Sequence, residues 1–131
     1  MKFAKVVFWI AGIWGVVLLT PLYFMFDLIG RQDPPPITHP QFFYAFVSVA
    51  MVWQFAFFVI ATDPARFRPM ILMSVLEKLS YVLTVGVLYL RGLTTPARSV
   101  AAFPDAVLGI LFVWAYIKVG SAKSASSITA P

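Results

Sequence analysis

Apolar positions along this chain neither alternate nor recur as a single stripe. They come in long uncharged blocks separated by short charged or proline-rich connections. Val6 to Phe26 is one such block of about 21 residues, entered from Lys2 and Lys5. Phe42 to Thr62 is a second of about the same length. A third runs from Met70 to Leu90, interrupted only by a polar group centred on Glu77 and Lys78. The fourth reaches about Lys118. About 20 residues at 1.5 Å each match a hydrocarbon core of about 30 Å. The blocks therefore predict transmembrane helices over about 6–26, 42–62, 70–90 and 100–118, in one domain covering residues 1–120.

The connections carry their own signals. The first block is longer than a signal-peptide core and no small-x-small cleavage site follows it, so it reads as a retained helix, kinked at Pro21. Asp27 to Pro40 is a polar loop stiffened by Pro34-Pro35-Pro36. Asp63 suits an N-cap with Pro64 at the first helical position, giving one interfacial turn before Pro69 starts the third helix. The fourth helix has two candidate starts: Pro104-Asp105, which leaves a short span, or Ser99, which gives a full span kinked at Pro104. From Ser121 to Pro131 the chain is rich in Ser and Ala and is expected to be a disordered tail.

Composition narrows the class. Of 131 residues, 61% are hydrophobic and 11% charged, with a mean hydropathy of +0.89. A soluble domain has about 25% charged residues to cover its surface, so these helices are expected to face lipid. With no cysteine, disulfides, thiolate metal sites and dithiol redox chemistry are excluded. With His39 as the one histidine, bis-histidine haem and multi-histidine metal sites within the chain are excluded too. No metal and no cofactor is expected. The net charge of +5 is spread over segment ends without a nucleic-acid recognition pattern, so the basic residues are read as topology signals and contacts to lipid phosphates, not as a nucleic-acid surface.

Those charges set an orientation. Lys2, Lys5, Arg66, Arg68, Lys118 and Lys123 fall on the side of the termini and the 63–69 connection, against Arg31, Arg91 and Arg98 on the other: six against three. Both termini are then cytoplasmic. Trp9, Trp114 and Tyr116 would mark the inner interface, and Tyr23, Tyr44 and Tyr89 the outer one. Short connections between antiparallel spans predict an all-α, up-down-up-down four-helix bundle in the cell membrane, with close approaches at Gly12/Gly15, Ala45/Ser48 and Ala106/Gly109.

The third helix carries the candidate chemistry. Ser74, Glu77, Tyr81 and Thr84 share one helical face, and a polar stripe on an apolar span should face the interior. Gln54 and Trp53 on the second helix and Trp14 on the first are candidates to line the same interior. Glu77 must be protonated, paired or hydrated there. In a structural reading it bonds Gln54 or Tyr81, or pairs with Arg66 or Arg68, while Lys78 snorkels to the inner surface. In a functional reading it holds a cationic or hydroxylated ligand, or carries a proton. A second polar cluster is expected on the outer side, where Asp27, at the end of the first helix, and Asp105, at the start of the fourth, could approach Arg31, Arg91 and Arg98, with Asp33 and His39 nearby. It reads either as interface charge or as a shallow mouth for a polar ligand. Both aspartates are placed far along the bundle from Glu77. No hydrolase, phosphate-loop, zincin or dinucleotide motif occurs, so an enzyme is not indicated.

Two stretches carry a family resemblance: Arg66-Phe67-Arg68-Pro69 through Leu76-Glu77-Lys78-Leu79, and Phe103-Pro104-Asp105-Ala106-Val107-Leu108-Gly109 through Ala115-Tyr116. They resemble those of small bacterial membrane proteins in the broad DoxX-like group, over about residues 6 to 118. The resemblance implies four helices in an inner membrane; some members of the group resemble subunits accompanying quinone-linked oxidoreductases. It transfers no catalytic residue. The expected function is an accessory or interaction subunit, or a binder of a small apolar ligand or lipid, with the bilayer, a membrane-protein partner and a second copy of the chain as candidate partners. The alternatives are a small solute or proton-coupled carrier using Glu77, and a membrane enzyme acting on a lipid or quinone.

Overall fold

The computed structural model describes residues 2–129, whose regular elements are all helical, with no strand among them. Helix α1 spans Lys2–Leu19 and tightens into a 3-10 stretch, Thr20–Phe24. The short α2 follows at Phe26–Gln32, then α3 at Pro40–Thr62 and α4 at Arg68–Leu90. A one-turn α5, Pro96–Ser99, leads through a 3-10 turn, Val100–Ala102, into α6, Phe103–Thr129. Four of the resulting helical stretches are long and apolar enough to cross a membrane: Lys2–Phe24, Pro40–Thr62, Arg68–Leu90 and Pro96–Thr129. Only 17–22% of the residues in each apolar window are buried, so the helices turn Leu, Ile, Val and Phe outward around most of their circumference.

Prolines punctuate these elements. Pro21 has no N–H to continue the α-helical ladder, and the chain narrows to 3-10 geometry around it. Pro40, Pro69 and Pro96 each stand in the first positions of a helix, where the missing donor costs nothing. Between α3 and α4 the Asp63 carboxylate accepts a bond from the Arg66 amide at 3.2 Å, capping a single turn. The end of the chain differs from expectation: the tail from Ser121, expected to be disordered, continues α6 to Thr129, and residues 130–131 lie outside the described residues. No Gly or Pro interrupts residues 121–129, and the Ser127 and Thr129 hydroxyls bond back to carbonyls of the preceding turn.

The strongest pairings are α1 with α3 and α4 with α6, each antiparallel. Gly12 lies against Phe58, and Gly15 against Gln54. Further along the first pair the Tyr23 hydroxyl meets Ser48 at 2.8 Å. In the second pair Arg68 lies on Tyr116, its guanidinium 3.9 Å from the ring centroid, and Lys78 meets Asp105. The two pairs join through an aromatic core at the end holding the start of α1 and the α3–α4 turn. There Phe8 stacks on Phe112 at 4.4 Å, and Phe57 meets both rings edge-on at 5.9 and 5.1 Å. Ile60, Ile71, Ala115 and Val119 complete it. All of these side chains are buried. Towards the opposite end α3 and α4 make little contact beyond Phe46 and Tyr81, stacked at 6.3 Å.

Because Phe112 touches both other rings of the core, Phe112→Ala is expected to cost about 3 kcal/mol or more of stability. Leu90, 84% exposed, serves as control, its alanine variant changing stability by about 0.5 kcal/mol or less. Thermal unfolding of the two variants in detergent micelles checks the contrast.

Candidate functional site

Where the two helix pairs part, they enclose a cavity of about 790 Å³ that is open on one side. Its walls come from α1, α3, α4 and the start of α6. Most of the lining is apolar, including Leu18, Leu22, Phe42, Phe46, Val49 and Leu108. At its deep end, next to the aromatic core, the polar side chains converge.

Lys78 is the centre of that group. It is 5% exposed, although it sits in the middle of a helix with mostly exposed apolar neighbours. Its ammonium is 3.0 Å from Asp105 Oδ1 and 3.4 Å from Glu77 Oε2, and 5.2 Å above the Phe57 ring. Gly109 lets α6 come close enough for this: a methyl group there would meet Lys78 Cβ at 3.4 Å. The expected snorkelling of Lys78 to the inner surface is therefore corrected. The carboxylates on α4 and α6 hold the ammonium inside, and Arg68, expected as a partner for Glu77, instead donates to the Tyr116 carbonyl at 3.2 Å.

Asp105 is the second correction. It belongs to the Lys78 group and not to the outer cluster, because the helical stretch starts earlier than either expected point. Thr95 caps it, accepting from the Arg98 amide at 3.3 Å, and Pro96 takes the first helical position. The added turns draw Asp105 inward to the level of Lys78. Thr95-Pro96 is a cap signal present in the sequence, and the expected starts at Ser99 and Pro104-Asp105 passed it over. The remaining outer residues do not form one site. Arg98 pairs with Asp33 and lies 3.4 Å from the Pro34 carbonyl, linking the two outer loops. Asp27 and Arg31 flank a separate hollow beside Pro34 and Pro36. Arg91 is exposed at the end of α4, and His39 is exposed with its ring edge-on to Phe42.

Of the expected interior residues, Trp14, Trp53, Gln54, Glu77, Tyr81 and Thr84 all line the cavity. Ser74 does not: it is buried in helix packing, its hydroxyl bonded to the Met70 carbonyl at 2.8 Å. Gln54 is 3% exposed. Its Nε2 donates to the Ala50 carbonyl at 2.8 Å, while its Oε1 lies over Gly15, in space that any larger residue would occupy. Gln54 Oε1 is a buried acceptor with no hydrogen-bond partner among the described residues, whereas Glu77 Oε2, equally buried, is held by the Lys78 ammonium. Leaving an atom such as Gln54 Oε1 unbonded costs about 1–3 kcal/mol. Among the described residues no group of His, Cys, Asp and Glu side chains could hold a metal ion.

Comparison with known protein families, with curated proteins and with solved structures found no match for the chain. The geometry is that of a mostly apolar cleft with one charged group, Lys78 between Glu77 and Asp105, in its wall.

The Lys78 pairs should behave as buried ion pairs. Lys78→Met leaves two carboxylates without their cation and is expected to destabilise by about 3–5 kcal/mol. Adding Asp105→Leu removes one of the two stranded charges, the one nearer the ammonium, and should recover about half of that loss. Thermal unfolding of the single and double variants in micelles measures both; an unchanged Lys78→Met variant would mean that the ammonium is not held between the carboxylates.

Proposed function

We propose that this chain is an integral membrane four-helix bundle of up-down-up-down order, with both termini cytoplasmic, that binds a small, mainly apolar ligand or lipid in the cavity between its helices. The single observation carrying the reading is the cavity itself, lined mostly by apolar side chains with Gln54, Glu77, Lys78 and Asp105 among them. An apolar pocket of a few hundred Å³ with a few convergent polar groups is the usual form of a small-molecule site. The buried rings of Phe8, Phe57 and Phe112 fill the bundle beyond the polar end. A single chain therefore offers no route from one side to the other, which favours binding over carriage.

Membrane placement is supported by helical stretches of 23 residues or more, about 35 Å at 1.5 Å per residue, and by their apolar outward faces. Cation–aromatic contacts gather at the end assigned to the cytoplasm. Arg68 lies over Tyr116, and Lys118 sits 4.6 Å from Phe3 and 5.3 Å from Trp114. This arrangement suits a membrane interface. Membership of the DoxX-like group is part of the proposal. The two stretches that carry that resemblance lie on α4 and α6 and face each other through Arg68–Tyr116 and Lys78–Asp105.

Two experiments test this. Ala50 lines the cavity beside Gln54, so Ala50→Phe should fill it. Native mass spectrometry of the protein purified from membranes should find a bound small molecule on the wild type and about tenfold less on the folded variant. Wild-type protein without a bound molecule, or equal occupancy in both, would overturn the reading. Orientation is tested separately on this cysteine-free chain. A membrane-impermeant maleimide should label Thr38→Cys in intact cells, and Ser126→Cys only after permeabilisation.

A further inference from the structure

The chemistry of the cavity's polar end narrows the ligand class further, and this step rests on the ligand-binding reading above. Two carboxylates, Glu77 and Asp105, face one ammonium, Lys78, and among the described residues lining the cavity Lys78 is the one cation. With both carboxylates ionised the group carries one negative charge in excess. The two carboxylate side chains line the cavity and keep some surface, 18% for Glu77 and 24% for Asp105. They offer acceptor positions beyond those that hold Lys78. A ligand head with N–H or O–H donors can use them, and the excess charge favours one that is positive.

The walls agree with this. Trp14, Trp53, Tyr81 and Phe46 line the same cavity, and aromatic faces attract cations. A carboxylate or phosphate head would meet the excess negative charge. A neutral hydroxyl would satisfy an acceptor but gain nothing from the charge or the rings. We propose that the cavity binds a lipophilic primary ammonium compound. Its ammonium donates to the Glu77 and Asp105 carboxylates, and its apolar tail lies among Leu18, Leu22, Phe42 and Val49. A volume of about 790 Å³ is within the range of about 300–1,000 Å³ common for sites that bury a small molecule.

Three single-chain probes of equal length separate head-group preference from tail binding: dodecylamine, dodecanol and dodecanoate. Each is titrated at pH 7 into the full chain in non-ionic micelles and bound probe is counted by native mass spectrometry. The amine is expected to bind about tenfold more tightly than either of the others. Glu77→Gln should shrink its advantage over the alcohol to about threefold or less, with dodecanol binding unchanged. Wild-type protein that takes dodecanol or dodecanoate as well as the amine refutes the ammonium assignment and leaves the ligand-binding reading standing. Wild-type protein that takes none of the three overturns both. The wild-type comparison decides the matter even where a variant fails to fold.

Discussion

A lysine in the middle of an apolar helix must either reach water along its own stem or find its counter-charge inside the protein. Lys78 does the second, and much of the arrangement around it follows. Each charge placed deep in a membrane costs about 2.5–3.5 kcal/mol on insertion scales, so in the membrane setting proposed above an unpaired Lys78 would work against insertion of α4. Pairing it with Glu77 alone would bring no other helix into register. Pairing it with Asp105 fixes α6 along α4, because the ammonium and carboxylate meet at 3.0 Å only at one axial offset. Gly109 permits the approach, and Arg68 on Tyr116 secures the same offset at the far end of the interface. The ion pair thus acts less as a source of stability than as a register mark, which is the best-attested use of buried charge.

That register divides the molecule into unlike halves. On one side of Lys78 the Phe8, Phe57 and Phe112 rings close the space between the helix pairs. On the other side the pairs diverge. Trp14, Trp53, Phe46 and Tyr81 face a cleft that no protein side chain fills. Arg98, reaching from the α4–α6 connection to Asp33 and the Pro34 carbonyl, keeps the outer loops together while the helices below them part. The polar end of the cleft lies at the boundary between the two halves, so its position is fixed by the packed half and its accessibility by the open one.

Much of this was readable in the sequence, for reasons that differ from residue to residue. The long helices follow from uncharged blocks that only a helix could carry through lipid. The interior face of α4 follows from the spacing of Glu77, Tyr81 and Thr84, and Gln54 was legible as the polar residue in the middle of an apolar block. Helical spacing gives a face, however, and not the axial offset between two helices distant in the chain. That is why Asp105 was assigned to the outer rim and Lys78 to the inner surface. The expected starts, Ser99 and Pro104, both lie after the Pro96 at which the helical stretch begins. From Pro104 back to Pro96 is about 12 Å along a helix axis. Ser74 shows the opposite limit: it shares the face of Glu77, yet its hydroxyl is satisfied by its own helix.

Gln54 is the residue least explained by packing. In the lipid setting proposed above, apolar surfaces gain little by meeting one another, since the surrounding tails are equally apolar. An open apolar cleft is therefore a smaller penalty there than in a water-soluble core. A buried, unbonded amide oxygen is penalised in either setting. Gln54 bonds no other helix: its amide nitrogen is spent on its own backbone, and its oxygen displaces any side chain larger than glycine at position 15. A leucine would occupy similar space without that penalty. Helix pairing thus gives no account of a glutamine at this point, and the Lys78 ion pairs do not involve it. A polar residue that lines the cleft without serving helix pairing fits a partner that comes from outside the chain.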